Sequence, residues 1–307
     1  MRLDRIYWIP LSVTFIVFLV LVVSFTTDYT WRKEEPVNVG QVITSPPVPE
    51  QFYFAGEEVP LEYFDVLESL ERELLVNTYW HSQTVIFIKK SSRYFPVIEP
   101  ILKKNNIPDD FKYLAVIESG LSNAVSPSGA VGFWQILEST SQDYNLIVDN
   151  EVDERYHLEK ATQAACRYLQ ESYNKYNSWT MTAASYNAGR RGIDRQITKQ
   201  SQQDYYDLLL NSETARYVFR ILAIKLILEN PDKYGFNIPK SECYQPIKTT
   251  SIKPDSTITD LAQFAKQHHT NYKMIKTLNP WLIDNKLTKR KDVVFEIMIP
   301  KKDARNL

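Results

Sequence analysis

Cysteine and surplus charge are what this sequence has least of. Only Cys166 and Cys243 occur, too few for a disulfide framework and without the paired spacing of a zinc site. In an oxidising compartment the two could form one bridge; as small hydrophobes they could equally be buried unpaired. Thirty-six Lys and Arg stand against 37 Asp and Glu, a formal net charge of -1, and no basic block or stripe interrupts the balance. A phosphate backbone therefore finds no electrostatic footprint, and nucleic acid is excluded as a partner. The adjacent His268 and His269 lie at a helix end rather than in a ligand pattern, so no metal and no cofactor is expected. Strand-like alternation is scarce between residues 60 and 234, which excludes a β architecture for the middle of the chain.

One long apolar run is present. Residues 6–25, IYWIPLSVTFIVFLVLVVSF, carry no charge and come close to the roughly 20 residues a helix needs to cross a bilayer. Arg2 and Arg5 precede it, which favours a cytoplasmic N-terminus with everything after residue 26 outside. A secretory signal shares the basic start, but its apolar part usually runs for about 7 to 15 residues and ends in a small-residue cleavage site. Here the run is longer and VVSFTTDYT is a poor cleavage match. The expectation is an uncleaved transmembrane helix within residues 1–26, with cleavage and release as the alternative. No cysteine follows the run to carry a lipid.

Residues 27–59 are polar and proline-bearing without a sustained period, as in an extended tether. From residue 60 to about 240 the pattern turns helical, with apolar residues at three- and four-residue spacing in VPLEYFDVLESLERELLVNTY, SSRYFPVIEPILKKNN, IPDDFKYLAVIES, LEKATQAACRYLQESYNKY, WTMTAASYNAG and SETARYVFRILAIKLILEN. Residues 241–307 follow a connector and read strand, helix, helix, strand: PIKTTSI, STITDLAQFAKQ, TNYKMIKTLN and VVFEIMIP. The expected fold class is mainly α, a helical domain followed by a small βααβ unit.

Within IPDDFKYLAVIES, Pro108 suits a first helical turn, Asp109 and Asp110 favour its positive end, and Gly120 marks the exit. Ala115, Leu114 and Phe111 precede Glu118 by three, four and seven residues, so this carboxylate shares the apolar stripe and should face inward. Burial and the negative end of the helix dipole both disfavour its charged form and should raise its pKa. A carboxyl held protonated near neutral pH can act as a general acid. The loop SNAVSPSGAVGFWQI that follows is rich in small and turn-forming residues and could bring Ser126 and Gln135 near the acid. SYNAG then ends one helix, and ETARYV opens another with Glu213 and Tyr217 on one face at i and i+4.

Four blocks in order, Glu118-Ser119, Gly132 to Gln135, Tyr186 to Gly189, and Glu213-Thr214 with Tyr217-Val218, resemble the catalytic domain of the lytic transglycosylases of bacterial peptidoglycan. That fold is soluble-lytic-transglycosylase-like and related to goose-type lysozyme. RYFPVIEPILKKNNIPDD and VDERYHLEKATQAACRYL extend the match, and the wider pattern most resembles the membrane-bound lytic murein transglycosylase D branch, which adds C-terminal lysin-motif (LysM) modules. Residues 246–301 resemble one such module, loosely: Pro254-Asp255 replaces the usual Gly-Asp, and TKRKD replaces the glycine before the last strand. Gly-Phe133-Trp134-Gln likewise stands where Gly-Leu-Met-Gln is common.

The resemblance implies cleavage between N-acetylmuramic acid and N-acetylglucosamine, with Glu118 as acid and then base and a 1,6-anhydro product. No second carboxylate is placed as a hydrolase would need; Glu138 and Asp143 lie in a polar run, LESTSQDYN. Ser126, Gln135, Trp134, Tyr186, Asn187 and Glu213 are the implied substrate-side residues. Ser119 and Tyr217 are supporting, Ser119 either directly or as a plain helix-terminal residue. Peptidoglycan glycan strands and the membrane are the implied partners, and the periplasmic side of the cell envelope the implied location. A hydrolytic muramidase on the same scaffold, or a non-catalytic wall-binding scaffold, are the alternatives.

Overall fold

In the computed structural model, residues 43–306 are described. The apolar run at 6–25 lies outside them, as do residues 27–42 of the segment read as a tether. Among the described residues no helix is long and apolar enough to cross a membrane. The unit from Ser45 onward is mainly helical and holds two short antiparallel pairs of strands.

Its first element corrects the reading of residues 27–59 as an extended tether. Strands β1 (Tyr53–Phe54) and β2 (Glu57–Glu58) form a hairpin, and Phe52, Phe54 and Val59 are buried in the main core. Four polar atoms of the next layer close on one side chain there. Glu57 accepts hydrogen bonds from Ser178 Oγ, Trp179 N, Thr180 N and Thr180 Oγ1, so a carboxylate sits on the positive start of a later helix. A period-based reading cannot see a cap 121 residues distant in sequence.

Helices α1 (Phe64–Tyr79) and α2 (His81–Lys104) meet at Trp80. The sequence reading begins the second of these only at Ser91, because HSQT opens it with polar residues and Pro96 and Pro100 lie within it. A 3-10 turn (Asp109–Phe111) leads into α3 (Lys112–Ser119). Asp110, expected to favour the helix start, is engaged by Ala55 N at 2.6 Å and Lys225 Nζ at 2.7 Å. Then come α4 (Glu138–Asp143), α5 (Leu158–Tyr176), α6 (Trp179–Ala188), α7 (Arg190–Gln200) and α8 (Ser212–Glu229). Asn211 Oδ1 accepts from Glu213 N and Thr214 N, both at 3.0 Å, and so starts α8. Ten residues of α8 are buried; α1, α3 and α6 pack on it. α7, RRGIDRQITKQ, buries Ile193 alone, too little apolar content to be read from sequence.

The C-terminal part runs β3 (Thr249–Ile252), α9 (Leu261–Gln267), α10 (Tyr272–Leu278) and β4 (Ile297–Pro300). Thr249 pairs with Pro300 and Ile252 with Ile297, antiparallel. Its small core, which includes Leu261, Ile275, Trp281, Leu282 and Ile297, also takes in Val152 from the loop between α4 and α5. Val152 bridges Leu282, and Asp153 N donates to Trp281 O at 2.9 Å. Glu151 accepts from Thr288 N and Thr288 Oγ1, and its carboxylate pairs with Lys286. Arg290 pairs with Asp149 at 2.8 Å, and His157 stacks on Trp281. Cys166 and Cys243 are free and buried.

Candidate active site

Glu118 occupies the last turn of α3, where Tyr113 to Val116 are buried. The helix stops because Gly120 takes the left-handed conformation, φ +60°, and its N–H closes on Val116 O. A Cβ at 120 would also meet the Phe87 ring at 2.9 Å. This stop leaves Glu118 half-buried in the wall of a cleft of about 450 Å³ formed between α1, α2, α3 and α8.

Tyr217, 2% exposed on α8, donates its O–H to Glu118 Oε1. Arg220, from the same face of α8, donates Nη2 to Ile117 O at 3.0 Å. Burial pushes the Glu118 carboxyl up from 4.5 to about 7. The Tyr217 hydrogen bond and then the Arg220 charge pull it down, and the Glu213 charge adds a smaller upward push. Near neutral pH this side chain is divided between acid and carboxylate, as befits a group that must give up a proton and take one back.

Glu213 lines the same cleft from the first turn of α8. Asn187 at the end of α6 ties the two helices together: its Nδ2 donates to Glu213 Oε1 at 2.9 Å and its Oδ1 accepts from Thr214 Oγ1 at 2.8 Å. Beyond Asn187 lies a second cavity of about 320 Å³, lined also by Gln135, Tyr144, Tyr168 and Tyr186. Tyr186 donates to Trp134 O at 2.7 Å; burial first, and the Glu118 charge second, hold its phenol well above the ordinary value.

The loop between α3 and α4 turns on Gly132, φ +81°, where a Cβ would sit 2.2 Å from Arg155 O. Only glycine allows that approach. Gln135 closes the loop, its Nε2 donating to Gly132 O at 2.8 Å and Ala124 O at 3.1 Å. Ser119 Oγ lies 3.0 Å from Phe133 O and accepts from Ser122 N, joining α3 to the loop. Ser126 sits in a turn, its Oγ accepting from Ala130 N at 3.0 Å, outside the lining of both cavities. Trp134 corrects an expectation. Its side chain is 0% exposed and its indole N–H donates to Thr162 Oγ1 at 2.8 Å, so no face remains for a sugar. Bridges from Val131 to Val125 and Ile136 fold the loop inward and carry the tryptophan into the core.

Three charged residues at the cleft, Glu73, Arg216 and Arg220, lie outside the sequence reading. Glu73 is 1% exposed and bound by Arg216 Nε at 2.7 Å and Arg72 Nη1 at 3.1 Å. A glutamate on the stripe Val66, Leu70, Leu74 of α1 was the available signal, since a buried charge needs a partner. Arg220 continues the Glu213–Tyr217 face by three residues. Glu138 and Asp143 are exposed on α4. Among the described residues no group of three or more His, Cys, Asp or Glu is arranged to hold a metal.

Residues 95–209 match the family described as Transglycosylase SLT domain, and residues 250–303 the Soluble lytic transglycosylase C-terminal LysM-like domain. Glu118, the loop to Gln135 and the Tyr186 block fall inside the first match, whereas Glu213 and Tyr217 lie just past it. Membrane-bound lytic murein transglycosylase D of Escherichia coli K12 is 27% identical over 263 residues, 83% of this chain and 56% of that protein. The protein of the same name from Escherichia coli O6:H1 gives the same figures. The chain thus spans about half the length of these relatives. It carries a transglycosylase SLT domain and a LysM-like domain of the soluble lytic transglycosylase type, and over most of its length is similar to a D-type membrane-bound lytic murein transglycosylase.

Proposed function

We propose that this chain is a peptidoglycan lytic transglycosylase, cleaving the β-1,4 bond from N-acetylmuramic acid to N-acetylglucosamine and leaving a 1,6-anhydro end. The observation that carries the reading is Glu118, raised to about 7 in a cleft whose other carboxylates, Glu73 and Glu213, are already engaged by Arg216 and Asn187. A two-carboxylate hydrolase needs a second acid at about 5–5.5 Å or 6.5–9.5 Å from the first; a one-acid route needs none. Glu118 gives its proton to the glycosidic oxygen as the C1–O bond breaks, and the substrate's own acetamido group supports the charge at C1. The resulting carboxylate takes the proton of the muramoyl C6 hydroxyl while that oxygen bonds C1. No water is consumed.

In this scheme Tyr217 steadies Glu118, and Ser119 fixes α3 to the loop. Gln135, Tyr186, Asn187 and Glu213 face the substrate, with Ser126 holding the loop's shape. The finer fold reading is a lysozyme-like catalytic domain, with residues 1–26, 27–59, 60–240 and 241–307 as anchor, tether, catalytic domain and LysM-like module. The hairpin at 53–58 extends the folded part into the second of these. Glycan strands are the partner. The relatives' name, with the apolar run 6–25, supports the periplasmic side of the cell envelope and an inner-membrane anchor.

Full-length protein in detergent, incubated with purified sacculi, should release muropeptides one water lighter than their reducing counterparts by mass spectrometry. Glu118→Gln should bind sacculi and release none. Reducing ends would make the enzyme a muramidase; equal release by variant and parent would remove Glu118 from the chemistry.

A further inference from the structure

Trp80 stands at the corner between α1 and α2 and is 58% exposed. Its position is fixed. Its N–H closes on Val76 O, its carbonyl accepts from Gln83 N and Thr84 N at 3.1 Å each, and Thr84 Oγ1 reaches back to Asn77 O. A single tryptophan in water needs no explanation by itself. This one lines the Glu118 cleft, beside Val76, which is 42% exposed. Its indole N–H finds no acceptor among the described residues. Around that apolar strip the cleft is lined by the Gln83 amide and by Asn77 and Arg216, both of which also hold Glu73.

A flat apolar wall edged by a few polar groups is the form of a ligand site. A pyranose ring matches it, with an apolar C–H face and a rim of hydroxyl and acetamido groups. We propose that Trp80 is an aromatic platform on which a pyranose of the glycan strand stacks, beside the reacting bond. The proposal rests on the glycan-cleaving reading and names a specificity residue for it. Sequence reasoning gave that part to Trp134, which the core has taken; the residue left free to do it is Trp80.

The test uses the full-length chain in detergent with Trp80→Leu, which keeps apolar bulk without a flat ring, and Trp80→Tyr, which keeps the ring. On sacculi, Leu should raise KM by roughly tenfold with a smaller change in kcat, as for loss of a binding hot spot, and Tyr should restore most of it at an unchanged melting temperature. An unchanged KM in Trp80→Leu, with an active parent, overturns the platform and leaves the reaction standing. A second arm separates the two ideas. In Glu118→Gln, N-acetylglucosamine hexamer should alter tryptophan fluorescence, and adding Trp80→Leu should abolish the response. If the parent yields no anhydro ends the reaction fails, and this titration still decides: a response that survives Trp80→Leu overturns the platform, one that vanishes supports it.

Discussion

Two of the three glutamates that line the cleft are held at opposite ends of helices. Glu118 rides the last turn of α3, where dipole and burial oppose its charge; Glu213 rides the first turn of α8, exposed and held by Asn187. The same side chain is thereby suited to two tasks, one to hold a proton near neutrality, the other to present a fixed acceptor. Burial, more than the residue type, is what raises Glu118.

The comparison breaks most completely at Glu118. Glu118→Gln should lower the rate of anhydromuropeptide release by about 10²–10⁴-fold, the usual worth of a general acid. The same variant should be more stable in alkaline solution. A carboxyl whose folded pKa lies near 7 and whose unfolded value is 4.5 costs the native state nothing below about pH 4, increasingly more through the interval, and a constant amount above it. Melting of Glu118→Gln and parent should coincide at pH 4 and separate at pH 8, in favour of the variant by on the order of 1–3 kcal/mol.

Tyr217→Phe removes the donor that holds the carboxyl down. Its rate should fall by roughly tenfold, and the alkaline side of its pH–rate profile should move to higher pH, since Glu118 then keeps its proton longer. Glu213→Gln sharpens the contrast with the opposite sign. It removes an upward push, so the alkaline side should move to lower pH, with a rate loss of a few-fold from the weakened Asn187 contact. Profiles that shift in one direction for both variants would show that the two ends of the cleft do not act on Glu118 separately.

Local signals carried much of the fold and part of the site. Apolar residues at three- and four-residue spacing announced α1, α3, α5, α6 and α8, and the turn at Gly120 announced where α3 stops. What escaped depends on distance along the chain. Glu57 looks like one more acid in a polar stretch until α6 brings its N-terminus to it. α7 and the start of α2 carry too little apolar period to be read as helix. Trp80 and Trp134 are identical as letters; only the inward fold of the loop after Gly132 decides which is core and which meets water.

The contact of the C-terminal part with the loop 149–157 has a mechanical meaning. Backbone bridging at Val152 and Leu282, with ion pairs at Glu151 and Asp149, makes a braced joint rather than a loose leash. If that part grips the wall, a captured strand meets the cleft at one angle. Reach and orientation would then be built into the joint, with little slack for searching.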